Sequence, residues 1–242
     1  MCTVTFIPQK DRCFITSSRD EKAVRSKAHV PAVYADYIAT LLYPKDAAAN
    51  GTWIAVNQSG NAAVLLNGAF VKHDPEPPYR KSRGLIFLDI IGSNEPMDCF
   101  AEINLYKIEP FTVVILRQGS LYECRWDGEK KYCQQLDEKQ PHIWSSATLY
   151  THEAVSKRRQ WFNQWMGEHS QPSQKDIFSF HHFAGDGDQY NDILMNRDGD
   201  MLTVSITAIE INNEKGMMHY MDLQDGKSIS KELYFETSPV IC

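Results

Sequence analysis

Cysteine stands second in the chain, in Met1-Cys2-Thr3-Val4-Thr5. Its side chain is small, the condition under which methionine aminopeptidases usually remove Met1. The chain would then open on a residue with both a thiol and a free α-amine. That amine has an ordinary pKa of about 7.7–8.0, so part of it is neutral near pH 7 and can take the thiol proton, directly or through a water. A nucleophile and its base on one terminal residue is a form of activated-nucleophile catalysis. The alternative is a small buried thiol opening a strand, since free cysteine is among the most buried residue types.

Two charged residues follow at a spacing that brings them back to Cys2. Val4 to Ile7 reads as a strand ended by Pro8, Gln9-Lys10-Asp11-Arg12 as a polar turn, and Cys13-Phe14-Ile15-Thr16 as the returning strand. Residues just after the second strand of such a hairpin lie beside the start of the first. Arg19 and Asp20 are therefore expected near Cys2, unless they form an ion pair at the strand end. A second cluster, His181-His182 with Asp186, Asp188 and Asp192, invites a metal reading. Its spacing fits neither a zinc helix motif nor an EF-hand loop, so a Gly/Asp-rich loop is expected over 184–189 and no metal.

The rest of the chain must position these groups. With 242 residues, 43% of them hydrophobic and 23% charged, it can bury a sizeable core. A net charge of −6 and a pI near 5.7 give no basic footprint for nucleic acid. No apolar run reaches the roughly 18–20 residues of a membrane span, and no secretory signal opens the chain, so a cytoplasmic protein is expected. Its six cysteines would then stay mostly reduced, and none forms a C-x-x-C pair.

Residues 22–50 read as mostly loop, with a helical turn at 33–42. Strands are expected at 51–56 and 62–66, joined by Asn57-Gln58-Ser59-Gly60 and closed by Asn67-Gly68. A Pro-rich exposed loop covers 73–83. Helices follow at 85–91, with Gly92 as C-cap, and at 96–105, with Pro96 in the first turn. The apolar run 111–116 opens a three-stranded meander through 121–126 and 130–135. Residues 153–166 form the clearest helix, capped by Thr151, with Ala154, Val155, Arg158, Trp161, Phe162, Trp165 and Met166 on one stripe. That stripe reads as core packing, and Lys157-Arg158-Arg159 as a mainly solvated edge. A short helix at 175–180 precedes a hairpin turning at Asp198-Gly199 into 201–211. A last strand is expected at 217–223, then a tail around 233–235. Helices come in groups and do not alternate with strands, which indicates α+β layers of antiparallel sheet in one domain over 1–242.

These residues resemble a known family. Met1-Cys2 opening a strand, Ser18-Arg19-Asp20-Glu21, Gly51-Thr52-Trp53-Ile54-Ala55-Val56-Asn57, Ala63-Val64-Leu65-Leu66-Asn67 and Ser82-Arg83-Gly84 look like the NRDE family, also called the transport and Golgi organisation 2 family. Ser145-Ser146-Ala147-Thr148-Leu149 and Asn191-Asp192-Ile193-Leu194 look like its later landmarks. The resemblance spans nearly the whole chain and rests on the order of motifs more than on any one. It implies an N-terminal-nucleophile hydrolase-like fold, a four-layer α-β-β-α sandwich of two antiparallel sheets. It also implies Cys2 as nucleophile, Arg19 beside the thiol favouring thiolate, Asp20 orienting the terminal amine, and Asn67 donating its amide to an oxyanion. Ser146 falls at a substrate-binding position where the family has Asn, Ser18 replaces the first Asn of the motif, and Gln189 stands near a lost arginine. The implied chemistry is cleavage of an amide C–N bond in a small-molecule substrate through an acyl-thioester, with no cofactor. The other function within reach is a non-enzymatic protein that binds or traffics haem or a lipid-like ligand. Loss of Cys2 would abolish the first function and spare the second.

Overall fold

The computed structural model describes residues 3–236. In chain order the elements are β1 (Thr3–Pro8), β2 (Cys13–Lys22), β3 (His29–Tyr34), β4 (Leu41–Lys45), β5 (Ile54–Asn57), β6 (Ala62–Asn67), α1 (Arg83–Ile91), α2 (Pro96–Glu102), β7 (Phe111–Arg117), β8 (Ser120–Trp126), β9 (Lys131–Leu136), β10 (His142–Ser145), α3 (His152–Glu168), α4 (Gln174–Phe183), β11 (Asn196–Arg197), β12 (Met201–Ile211), β13 (Lys215–Asp222) and β14 (Ser228–Tyr234). They form two antiparallel sheets. One runs β10-β1-β2-β12-β13-β14, with β11 also on β12; the other runs β3 through β9 in sequence order.

Alternation along the strands builds the layers, because successive side chains of a strand point to opposite faces. In β6, Ala62, Val64 and Leu66 enter the core between the sheets, where they meet Val4, Phe6, Cys13 and Ile15 of β1 and β2. Ala63 and Leu65 point the other way, into a second core with Ile86, Phe87, Ile90 and Ile91 of α1 and Phe100 of α2. On the far side of the first sheet, Ile7 and Phe14 pack with Phe162 of α3 and with Ile177 and Phe180 of α4. The result is the expected four-layer α-β-β-α sandwich. Strand 62–66 is apolar throughout, and strand 111–116 apart from Thr112, because both of their faces are covered.

The local signals act as read in several places. Thr151 caps α3 by accepting from the Ala154 N–H, and Ser173 closes a capping box with Asp176 on α4. Asp198 and Gly199 take φ of 52° and 77°, the left-handed pair that a tight hairpin needs.

Four expectations are corrected. Residues 22–50 are not mostly loop, for they carry β3 and β4, and the turn expected at 33–42 falls on the end of one and the start of the other. Arg19 and Asp20 do not follow the second strand, since β2 runs on to Lys22 and pairs with β12 along its whole length. The segment read as a tail is β14, paired with β13. Arg158 is no part of a solvated edge: it is 0% exposed. Among the described residues no helix is long and apolar enough to cross a membrane.

Candidate active site

Cys2 lies outside the described residues, but its neighbour does not. Thr3 pairs with Ser18 across the β1–β2 ladder, and Arg19 and Asp20 come next on β2. Being adjacent in a strand, the two point to opposite faces.

Arg19 enters the space between the sheets. Its guanidinium lies 4.7 Å over the Trp53 ring and donates to the Asp46 carboxylate at 2.6 Å. Asp46 also accepts from Arg25 at 2.9 Å and from the Ala48 and Ala49 N–H groups. Burial pushes the Asp46 carboxyl up, but the Arg25 and Ala49 hydrogen bonds and the charges of Arg25 and Arg19 outweigh it and hold the group below its ordinary value. Arg19 thus sits pre-oriented and almost fully buried, and it is not paired with Asp20.

Asp20 faces the α3 and α4 layer. One carboxylate oxygen accepts from the Tyr150 hydroxyl at 2.6 Å and the other from the Thr203 hydroxyl at 2.5 Å. Thr203 borders a bulge in the β2–β12 ladder, between Thr203 and Ser205. Bulges next to active sites commonly re-aim a side chain in this way.

Asn67 ends β6, and Gly68 behind it turns with φ of 80°. A Cβ on Gly68 would come within 2.8 Å of the Thr148 methyl, so this turn packs closely on the 147–148 segment. Ser146 joins the same contact. Its hydroxyl donates to the Asn67 carbonyl at 2.9 Å and lies 3.1 Å from the Thr148 hydroxyl. The structure therefore brings Ser146 and Asn67 together, with Ser146 acting as a strut. Gln189 is exposed, and its carbonyl accepts from the Asn196 N–H at 2.8 Å.

Three polar residues at this end of the sheet take roles the sequence alone does not indicate. Arg158 donates to the carbonyls of Asn191 and Asp192, the latter at 2.5 Å, and to the Thr3 hydroxyl. Its guanidinium lies 3.5 Å from the Tyr150 ring centre. No carboxylate among the described residues forms an ion pair with it. Arg197, read only as part of a turn, donates to the Leu149 and Tyr190 carbonyls and stands 5.4 Å from the same ring. His181 is 0% exposed and bridges the Thr5 hydroxyl at 2.9 Å and the Ser18 hydroxyl at 2.8 Å. Burial, assisted by the Arg158 charge, lowers its pKa to about 3 and keeps the ring neutral. It is a strut between α4 and the first two strands, and no metal-binding group is found among the described residues. The available signal for Arg158 was its place on the apolar stripe of α3.

Two cavities flank these groups. One of about 600 Å³ is lined by Arg19, Asp46, Trp53, Asn67, Arg83 and Glu109 among others. Arg83 and Glu109 pair at 3.1 Å there, and burial lowers the Arg83 pKa. A larger one, about 830 Å³, is walled by Leu66, Thr112, Glu123, Trp144, Tyr150 and Arg159 among others. Both volumes fall within the range of small-molecule sites.

The same architecture is found in solved structures of N-terminal-nucleophile hydrolases. Penicillin V acylase from Agrobacterium tumefaciens matches with a TM-score of 0.55 and 11% identity, over 95% of this chain and 85% of that one. A mutant of conjugated bile acid hydrolase from Clostridium perfringens matches at 0.57 and 10%, over 100% of this chain and 98% of that one. The Caenorhabditis elegans orthologue of N-acylethanolamine-hydrolyzing acid amidase matches at 0.54 and 12%, over 86% and 92%. No curated protein matches the chain significantly. The fold is that of the N-terminal-nucleophile hydrolases. Within it, the sequence profile of Transport and Golgi organisation 2 matches residues 1–220, and the chain belongs to that family.

Proposed function

We propose that this protein is a cysteine N-terminal-nucleophile hydrolase that cleaves an amide bond of a small molecule once Met1 is removed. The observation that carries this reading is the placement of two buried, pre-oriented charges, Arg19 and Asp20, directly after the partner of Thr3. In this mechanism the α-amine of Cys2 takes the thiol proton and the sulfur attacks the amide carbonyl. Arg19 favours the thiolate through its positive charge. Asp20, fixed by Tyr150 and Thr203, orients the protonated amine. The Asn67 side-chain amide donates to the oxyanion. The amine returns its proton to the leaving nitrogen, and water releases the acyl group from sulfur. The names of the three structural neighbours also denote acylase, hydrolase or amidase activity, which supports the reaction class by analogy of fold. The domain spans residues 1–242, and the substrate enters through the smaller cavity, which Arg19 and Asn67 line.

One observation favours the second function. The Ser146 hydroxyl is committed to the Asn67 carbonyl and offers a substrate no amide donor. A protein that holds a haem-like or lipid-like ligand in the larger cavity without turnover would have this feature.

Intact-mass measurement and thiol labelling across pH decide between them. The hydrolase requires loss of Met1 and labelling that disappears in Cys2→Ala and persists below about pH 7, well under the free-thiol pKa of about 8.5. Retained Met1, or labelling unchanged by Cys2→Ala, overturns it.

A further inference from the structure

Cys124 and Cys133 are nine positions apart in sequence and directly opposite one another in the structure, as cross-strand partners on β8 and β9. Directly opposed residues of an antiparallel pair have Cα atoms about 4.5–5.5 Å apart, which lies inside the 4.4–6.8 Å span of disulfides. Both cysteines are free thiols; Cys124 is buried in the core beneath α1 and α2, while Cys133 is exposed on the edge strand. We infer that Cys124 and Cys133 form a redox modification site, in which a peroxide oxidises the pair reversibly to an intrachain disulfide.

The asymmetry of the two thiols assigns their parts. The interaction with the facing Cys124 thiol holds the Cys133 thiol below its ordinary pKa against the opposing effects of burial and the Glu123 charge. The same interaction, together with burial, pushes the Cys124 thiol up. Thiolate is the reactive form, and reactive cysteines combine thiolate character with exposure. Cys133 therefore attacks the peroxide, cleaving the O–O bond to give a sulfenic acid and, after protonation, an alcohol or water. The Cys124 sulfur then attacks the Cys133 sulfur; the S–O bond breaks, and the Cys124 proton leaves with hydroxide as water. The two thiols supply two electrons and the peroxide accepts both. An external dithiol reverses the step by exchange. Three of the other cysteines differ in kind. Cys13 is buried, Cys99 is half-buried with its thiol pushed up chiefly by burial, and Cys2 belongs to the active-site proposal.

The test is graded hydrogen peroxide on the reduced full-length protein, a maleimide quench, and an unreduced tryptic digest. Cleavage after Arg117, Arg125, Lys131 and Lys139 separates the two cysteines into peptides 118–125 and 132–139. The expected result is these two peptides joined, two hydrogen atoms lighter, and split again by dithiothreitol. Cys133 should be consumed at least about tenfold faster than Cys99, as its thiolate fraction and exposure require. In Cys124→Ser the Cys133 sulfenic acid should persist long enough to be trapped by dimedone. In Cys133→Ser, an exposed and near-isosteric change, the linkage should vanish with Cys124 left intact. Oxidation of Cys133 to sulfinic acid with no linked peptide, consumption no faster than Cys99, or transfer of Cys124 to another cysteine in Cys133→Ser would each overturn the inference. None of these readouts depends on hydrolase activity.

Discussion

The Tyr150 hydroxyl donates to the Asp20 carboxylate at 2.6 Å, tying the segment ahead of α3 to the second half of β2. Both residues are more than nine-tenths buried. A hydrogen bond to a charged group typically contributes about 1.5–3 kcal/mol, and removing the donor leaves a desolvated carboxylate oxygen unpaired. Tyr150→Phe keeps the ring against Arg158 and removes only the hydroxyl. It should destabilise the protein by about 1–3 kcal/mol in urea denaturation. A double-mutant cycle with Asp20→Asn should show coupling between the positions. Equal losses that simply add would mean that the bond does not link them.

Arg158 is the densest joint of the site. It reaches β1 through Thr3, the Asn191-Asp192 segment through two carbonyls, and Tyr150 through its ring face. A guanidinium suits this position because its planar fork donates in several directions at once while its face stacks on an aromatic ring. Arg158→Met removes every donor and orphans the buried Thr3 hydroxyl and two part-buried carbonyls. Its cost should be about 3–5 kcal/mol, the sum of unpaired polar groups and imperfect refilling. Arg158→Lys retains the charge but not the fork, and should recover less than half of that loss. Chemical denaturation of the two variants checks both the size and the order; a lysine variant as stable as wild type would show that the charge alone matters.

His181 gives the fold a pH dependence of definite sign. Its folded pKa, about 3, lies below its ordinary value of 6.5, so the fold prefers the neutral ring. Between those values the unfolded chain binds more protons than the folded one. The stability His181 contributes is therefore fully present above about pH 6.5 and is lost as pH falls towards 3, at up to about 1.4 kcal/mol per pH unit. Denaturation midpoints at pH 7, 5.5 and 4 should fall in wild type with this slope included. In His181→Gln the starting stability should be lower and the slope correspondingly shallower. An unchanged slope would place the acid sensitivity elsewhere, for instance on Asp46, whose lowered pKa acts in the same direction.

What was legible in sequence followed local chemistry and apolar pattern. The Asp198-Gly199 turn, the Thr151 cap and the two-faced apolar strands at 62–66 and 111–116 are each set by residues within a few positions. The misreadings have a common cause in tertiary burial. The second half of β2 reads Ser17-Ser18-Arg19-Asp20-Glu21, which has no apolar alternation, yet Ser17, Ser18, Arg19 and Asp20 are all buried. Their partners, Asp46, Tyr150, His181 and Thr203, come from distant parts of the chain. β3 and β4 carry Pro31 and Pro44 and little alternation, and they are fixed by their ladders to one another and to β5. Arg158 lies on the expected helix and stripe, but a charged residue on a stripe reads as solvated until its tertiary partners are seen. Polar residues in a strand or stripe mark the places where function departs from the simple pattern.

Gly51 and Gly84 offer a test of why two of the family-like motifs carry glycine. A Cβ on Gly51 would lie 2.6 Å from the Gly84 carbonyl carbon and 2.8 Å from its Cα, while the Thr52 N–H donates to the Gly84 carbonyl at 3.4 Å. The chain entering β5 therefore crosses the start of α1 backbone to backbone, beside the wall of the smaller cavity. Gly51→Ala cannot be relieved by rotating a side chain, because the obstructing atoms are main chain. Overpacking of this kind costs about 1–3 kcal/mol. Gly167→Ala is the matching control: it lies near the end of α3 with nothing within 4 Å of the added carbon. There the helix propensity of alanine should make the change neutral or stabilising by up to about 1 kcal/mol. Thermal denaturation should lower the midpoint for Gly51→Ala and leave or raise it for Gly167→Ala. If Gly51→Ala is as stable as wild type, the two backbones have room to separate, and the close crossing is not what positions Arg83 and Trp53 around the cavity.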